Sequence, residues 1–132
     1  MSNTDHPLMK YLMAMKDKKF QKAAYILSDM IKIIPTTNTK ELVTCIKYRV
    51  SALYKAKQFE KVIDDCSKLQ DLGVDIEQDP EIAMIQVESI IRITQQQSID
   101  ILENLVIKFK VKRAQELRNR LHSINPDKLF DE

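Results

Sequence analysis

An all-α helical repeat array is the fold class this sequence predicts, and three observations predict it. The motif Lys18-Lys19-Phe20-Gln21-Lys22-Ala23-Ala24 returns 39 residues later as Lys57-Gln58-Phe59-Glu60-Lys61-Val62-Ile63. Self-similarity at a fixed period of this length is the signature of stacked supersecondary units. Apolar residues recur at three- and four-residue intervals along most of the chain, the spacing of a buried helix face. One Gly and four Pro in 132 residues leave little material for a turn-rich β fold. A repeat unit cannot bury its apolar face alone, and stacked units present an extended surface to a partner, so the predicted class of function is binding.

The first helix is predicted to begin at Pro7, whose fixed φ suits an early helical position, with Asp5 or His6 as cap. Leu8, Met9, Leu12, Met13 and Met15 give it one apolar side. After a break at Asp17-Lys18, a second helix from Lys19 carries Phe20, Ala23, Ala24, Leu27, Met30, Ile31 and Ile34 as a buried stripe, and Pro35 stops it. Asn38 with Glu41 reads as a capping box for a third helix over 39–56, in which Leu42, Val43, Ile46, Val50, Leu53 and Tyr54 share a side. A fourth, 58–72, repeats the spacing of the second with Phe59, Val62, Ile63, Cys66 and Leu69. Gly73, the sole glycine, sits where a left-handed C-terminal cap is expected.

Asp79-Pro80-Glu81 combines an N-cap acid, Pro in the first turn and a second acid favoured by the helix dipole. It predicts a fifth helix over 80–94. Gln95-Gln96-Gln97 reads as a turn, and Ser98 lies a further 39 residues past Phe59. A sixth helix is then expected over 98–110 with Ile101, Leu102, Leu105 and Phe109 inward. A seventh, 111–123, is stopped by Asn125-Pro126 and caps the array. Leu129-Phe130-Asp131-Glu132 reads as a frayed terminus that can also serve as a docking peptide.

Apolar residues make up 44% and charged residues 30%, ordinary proportions for a soluble globular protein. The length fits one domain, 1–132. No apolar run approaches the roughly 18 residues a spanning helix needs, and the first seven residues lack the order of a secretory signal. A soluble, cytoplasmic protein without membrane insertion is the expectation. Cys45 and Cys66 read as reduced core residues. His6 and His122 have no ligand-spaced companions, so neither metal nor cofactor is expected.

Charge is uneven along the chain. Residues 1–40 carry seven bases against three acids, 41–106 twelve acids against seven bases, and 107–132 seven bases against four acids. Such a pattern can steer a charged partner or favour self-association. No nucleophile with a base partner and no phosphate-cradling glycine loop is present, so an enzyme is not expected. Asp64 and Asp65 are adjacent acids, but neighbouring helix positions diverge by about 100°, and a solvated helix surface is the expected explanation for both.

In its paired helices and second-helix aromatics the chain resembles the tetratricopeptide repeat family. That family has a bulky residue early in the first helix, an aromatic three residues before a small one in the second, and a Pro after it. Phe20, Ala23, Leu27, Met30 and Pro35 match the second-helix half of the first unit. Phe59, Val62, Cys66 and Leu69 match it in the second, with Val62 where Ala is usual. Ser98 and Ile101 stand at the corresponding places of the third. The period of 39 exceeds the family's usual value of about 34, so a HEAT-like array is the structural rival. A pentatricopeptide-like RNA reader is another.

The resemblance implies a right-handed α-α superhelix of about three helix-turn-helix units (4–38, 39–78 and 79–110), a C-terminal capping helix and a short tail over 124–132. It also implies that the first helix of each pair lines a concave, mainly apolar groove. On that register the groove holds Leu8, Leu12 and Met15, then Lys47, Tyr48, Ser51, Tyr54 and Lys55, then Gln86 and Ile90. Tyr48 and Tyr54 are the expected anchors for a peptide or helix of a partner protein, with the two lysines favouring an acidic flank. Some family members hold a chaperone's C-terminal carboxylate with Lys, Asn and Arg side chains. The aligned positions here are Leu8, Leu12, Tyr48, Ala83 and Val87, which cannot do so. An adaptor, scaffold or assembly subunit is the leading expectation. RNA binding through Lys108, Lys110, Lys112, Arg113, Arg118 and Arg120 is the alternative.

Overall fold

A computed structural model describes residues 6–130, and among them every regular element is helical. The order is α1 (Pro7–Lys16), α2 (Phe20–Ile33), α3 (Thr39–Lys55), α4 (Phe59–Asp71), a 3-10 turn (Ile76–Gln78), α5 (Pro80–Phe109), α6 (Lys112–Ser123) and α7 (Pro126–Phe130). Two compact units divide at Ser89 and Ile90, within the span of α5. The expected cap Asp5 lies outside the described residues. His6 caps α1, its Nδ1 accepting the Leu8 N–H at 3.2 Å.

In the first unit α1 packs on α2, α2 on α3 and α3 on α4, as two antiparallel hairpins require. Ala23, Ala24 and Leu27 of α2, Ile46, Val50 and Leu53 of α3, and Val62, Cys66 and Leu69 of α4 form its buried centre. These are the stripes expected from the spacing. Asn38 caps α3 as read, its Oδ1 accepting the Glu41 N–H at 3.4 Å. Gly73 follows α4 with φ of 91°, a conformation glycine adopts without strain. The Cys45 and Cys66 thiols are free and buried. Burial first, and then the Asp65 carboxylate, pushes Cys66 up to about 11, leaving almost no reactive thiolate at neutral pH.

Both motif copies are hairpin turns. Lys18 and Lys57 hold φ of 59° and 60° directly before the N-caps of α2 and α4. The repeat seen in the sequence is thus a repeated backbone event, the reversal of chain direction between two packed helices.

Five expectations fail, the last of them in the tail. The turn at Gln95-Gln96-Gln97 does not exist: α5 runs unbroken from Pro80 to Phe109, so the third hairpin, with a helix starting at Ser98, is absent. Glutamine is a good helix former, and no Gly or Pro interrupts the run. Second, Ile101, Leu105 and Phe109 face solvent, Phe109 being 70% exposed, while Ile99 is buried. The helix carries two apolar stripes, and periodicity alone does not say which one turns inward. Third, α1 buries Tyr11 and Ala14 rather than Met9 and Met13 of its apolar side. Two residues of the expected side, Leu8 and Met15, do pack on the core.

Fourth, Asp65 is not solvated: it is 2% exposed. Arg49 of α3 grips it through Nε to Oδ2 at 2.7 Å and Nη2 to Oδ1 at 2.6 Å. The third arm of the guanidinium, Nη1, donates to Ser28 Oγ on α2 at 3.2 Å. One side chain therefore ties three helices. Asp64 is exposed, as expected.

The second unit combines the later part of α5 with α6 and α7. Ile99 and Ala114 are its buried apolar residues, and polar clasps join its elements. Gln95 Nε2 donates to the carbonyls of Leu121 and Ile124, both at 3.0 Å, satisfying the C-terminal end of α6. Arg92 pairs with Asp127 at 2.8 Å and lies 4.8 Å from the ring centroid of Phe130. The tail is therefore a short helix held by Arg92 up to Phe130, not a frayed end; Asp131 and Glu132 lie outside the described residues.

Candidate functional site

The residues expected to meet a partner belong to the first helix of each pair, so their surroundings decide what they can do. In the first unit side chains of α3 reach α1 and the opening turns of α5. Tyr48 of α3 tilts against Tyr11 of α1 with ring centroids 5.4 Å apart. Lys47 Nζ is 2.9 Å from Asp79 Oδ2. The Tyr54 hydroxyl donates to the Glu88 carboxylate, and its ring meets Phe59 edge-on at 5.8 Å.

These contacts sort the expected groove into committed and free side chains. Lys47 neutralises Asp79, Tyr54 joins α3 to α5, and Lys55 Nζ sits 5.7 Å from the Phe20 centroid. Leu8 and Met15 pack on the core, while Ser51 and Gln86 are half-buried. Leu12, 51% exposed, and Tyr48, 40% exposed, are the large side chains left facing outward. Ile90 is exposed and opens the second unit, so it is not counted in this face.

Tyr11 is the site residue that sequence reading missed. It is 4% exposed, and burial first, then Tyr48, then Glu81 raise its hydroxyl pKa. Tyr48 thus rests on a fixed aromatic floor and loses little rotamer freedom on binding, the condition for an anchor. The spacing of Leu8, Tyr11 and Met15 was the available signal for it.

Asp79 is also structural. Its Oδ1 accepts the Ile82 N–H at 3.3 Å, capping α5, while Oδ2 meets Lys47. The Lys47 hydrogen bond is the main cause holding its carboxyl below the ordinary value of 3.8. A carboxylate with a depressed folded-state pKa adds stability above its unfolded pKa and loses it as pH falls through the folded one. Asp79→Asn is therefore expected to flatten the acid limb of stability below about pH 4, read from urea midpoints at pH 3, 4 and 6. An unchanged limb would mean the pair contributes nothing.

In the second unit Lys108, Lys110, Lys112, Arg113 and Arg120 are exposed, and Arg118 donates to Asn119 Oδ1 at 3.1 Å. Lys110 holds φ of 51° in the turn between α5 and α6. Phe109, expected inside, stands exposed next to these cations. Among the described residues no His, Cys, Asp and Glu side chains group as a metal site, and no helix is long and apolar enough to cross a membrane.

Comparison of the chain with protein-family models, with curated proteins and with solved structures returned no match.

Proposed function

We propose that the chain is a non-catalytic protein-interaction module, an adaptor or small assembly subunit, that takes a helix or extended segment of a partner protein on the α1/α3 face of its first unit. The supporting observation is Tyr48, an outward-facing aromatic resting on buried Tyr11. Leu12, the residue after Tyr11, adds an exposed apolar wall, and Ser51 a polar rim. Tyrosines of this kind carry a large share of interface energy because they offer area with few rotatable bonds. The tetratricopeptide-like register places these residues on a partner-binding surface, and the two packed hairpins are compatible with it.

The test is recovery of partners on the tagged chain from its native cells, with Tyr48→Ala and Leu12→Ser in parallel. A specific partner should be retained by the parent and lose roughly thirtyfold in affinity with Tyr48→Ala. Helical circular dichroism should be unchanged. Equal retention by both variants would remove this face from the function.

Exposed Phe109 beside Lys108 and Lys110 supports a second reading, RNA binding by the second unit. An aromatic among cations can stack a base while phosphates are neutralised. Recovery that disappears with nuclease and falls steeply with salt would favour it.

A further inference from the structure

The two turns that repeat in sequence also meet in space. The Gln58 side-chain amide donates to Gln21 Oε1, joining the start of α4 to that of α2. Lys55 lies against the Phe20 ring. Ala56 closes an open pocket of about 400 Å³ whose other walls are residues 18–22. Lys18, Lys19, Lys22, Lys55, Lys57 and Lys61 are consequently gathered at one end of the first unit, with Asp17 and Glu60 as the acids of the two turns.

All six lysines are exposed, and among the described residues none pairs with a carboxylate. Elsewhere in the unit several cations are matched, Lys32 with Asp29, Lys47 with Asp79, and Arg49 and Lys68 with Asp65, while Lys10 and Lys40 stand singly. Unmatched cations are thus most concentrated at the turn end. Two of them also stand against backbone preference. Lys18 and Lys57 occupy left-handed conformations that glycine would hold without strain. At both positions a residue other than glycine holds this conformation and presents an ammonium group at the turn.

We propose that this pocket, lined by Lys18, Lys19 and Lys22 with the lysines of the α3–α4 turn beside it, binds a compact anion carrying several phosphate groups. Each phosphate brings up to two negative charges in a small volume, matching clustered ammonium groups that act as mobile point charges. An extended polyanion fits less well. Along α2 and α4 the surface away from the turns is of mixed sign, Asp29, Asp64 and Asp71 interspersed with Lys32 and Lys68, so the excess of positive charge does not extend along it. The same chemistry can come from a free polyphosphorylated metabolite or from a polyphosphorylated lipid headgroup.

The experiment uses the full chain. Inositol hexakisphosphate is titrated by calorimetry. Sedimentation follows binding to phosphatidylcholine vesicles doped with phosphatidylinositol bisphosphate, and to vesicles brought to the same charge with phosphatidylserine. Lys18→Gly with Lys57→Gly is the decisive variant, because it removes two charges while relaxing the backbone. Binding should weaken roughly thirtyfold while the thermal midpoint holds or rises. Saturable binding of the free probe identifies the metabolite source; binding only to the bisphosphate vesicles identifies the lipid. Equal binding to phosphatidylserine vesicles overturns the proposal in favour of a nonspecific anionic surface. Tighter binding of a uridine dodecamer overturns it in favour of nucleic acid. It also fails if neither probe binds, if the glycine variant binds like the parent, or if Lys108→Gln with Lys112→Gln abolishes binding instead.

Discussion

Arg49→Met is expected to cost about 3–5 kcal/mol of unfolding free energy, the loss typical when a buried charge is stripped of its partner. The reason is the carboxylate left behind. The Asp65 side chain is 3% exposed, and its remaining cationic neighbour, Lys68, is 3.8 Å away and more than half exposed. The Ser28 hydroxyl loses a donor as well, though it keeps its own bond to the Ala24 carbonyl at 3.0 Å. Adding Asp65→Leu to Arg49→Met should recover most of the loss, because two apolar groups of suitable volume can replace a buried ion pair at little net cost. Urea unfolding followed by circular dichroism measures all three variants. A single-variant loss below about 1 kcal/mol, the scale of an exposed pair, would show that Asp65 finds water or another partner.

Gln96→Pro should be the most damaging single exchange at an exposed position. The Gln96 side chain makes one exposed contact, Nε2 to Asp100 Oδ1 at 2.9 Å, so losing it costs little. The ring, however, removes a main-chain N–H and clashes with the carbonyl of Arg92, about 3 kcal/mol or more in a helix interior. A turn at 95–97 would tolerate the same change almost freely. Amide hydrogen exchange should show protection lost around residues 92–100, with Gln96→Ala as a near-neutral control. Unchanged protection in the proline variant would restore the broken helix that the 39-residue period implied.

The difference between these two regions explains what was legible. Stripes in α2, α3 and α4 were readable because each has one apolar face and a chemical signal at an end: Pro35, Asn38 with Glu41, Gly73, or Asp79-Pro80. Around Gln95-Gln97 no such signal exists, and the inferred turn rested on numerical spacing alone. Asp65 looks solvated when compared with Asp64 beside it, and buried when compared with its own helix face. Val62, Asp65, Cys66 and Leu69 share one stripe, and Arg49 sits among Ile46, Val50 and Leu53. An acid on one apolar stripe and a base on another form a pairing signal that local spacing does not reveal. Of the expected groove, the exposure of Leu12 and Tyr48 followed from register, whereas the commitments of Lys47 and Tyr54 depend on Asp79 and Glu88, more than thirty residues away.

The tyrosine distribution has an optical consequence. The chain holds four tyrosines and no tryptophan, and Tyr11, Tyr25, Tyr48 and Tyr54 all belong to the first unit. Intrinsic ultraviolet emission is therefore a private signal of that unit, whereas far-ultraviolet ellipticity sums every helix. A molecule whose α6 and α7 had melted would fluoresce as native, so a gap between the two transition curves would reveal a populated intermediate in unfolding.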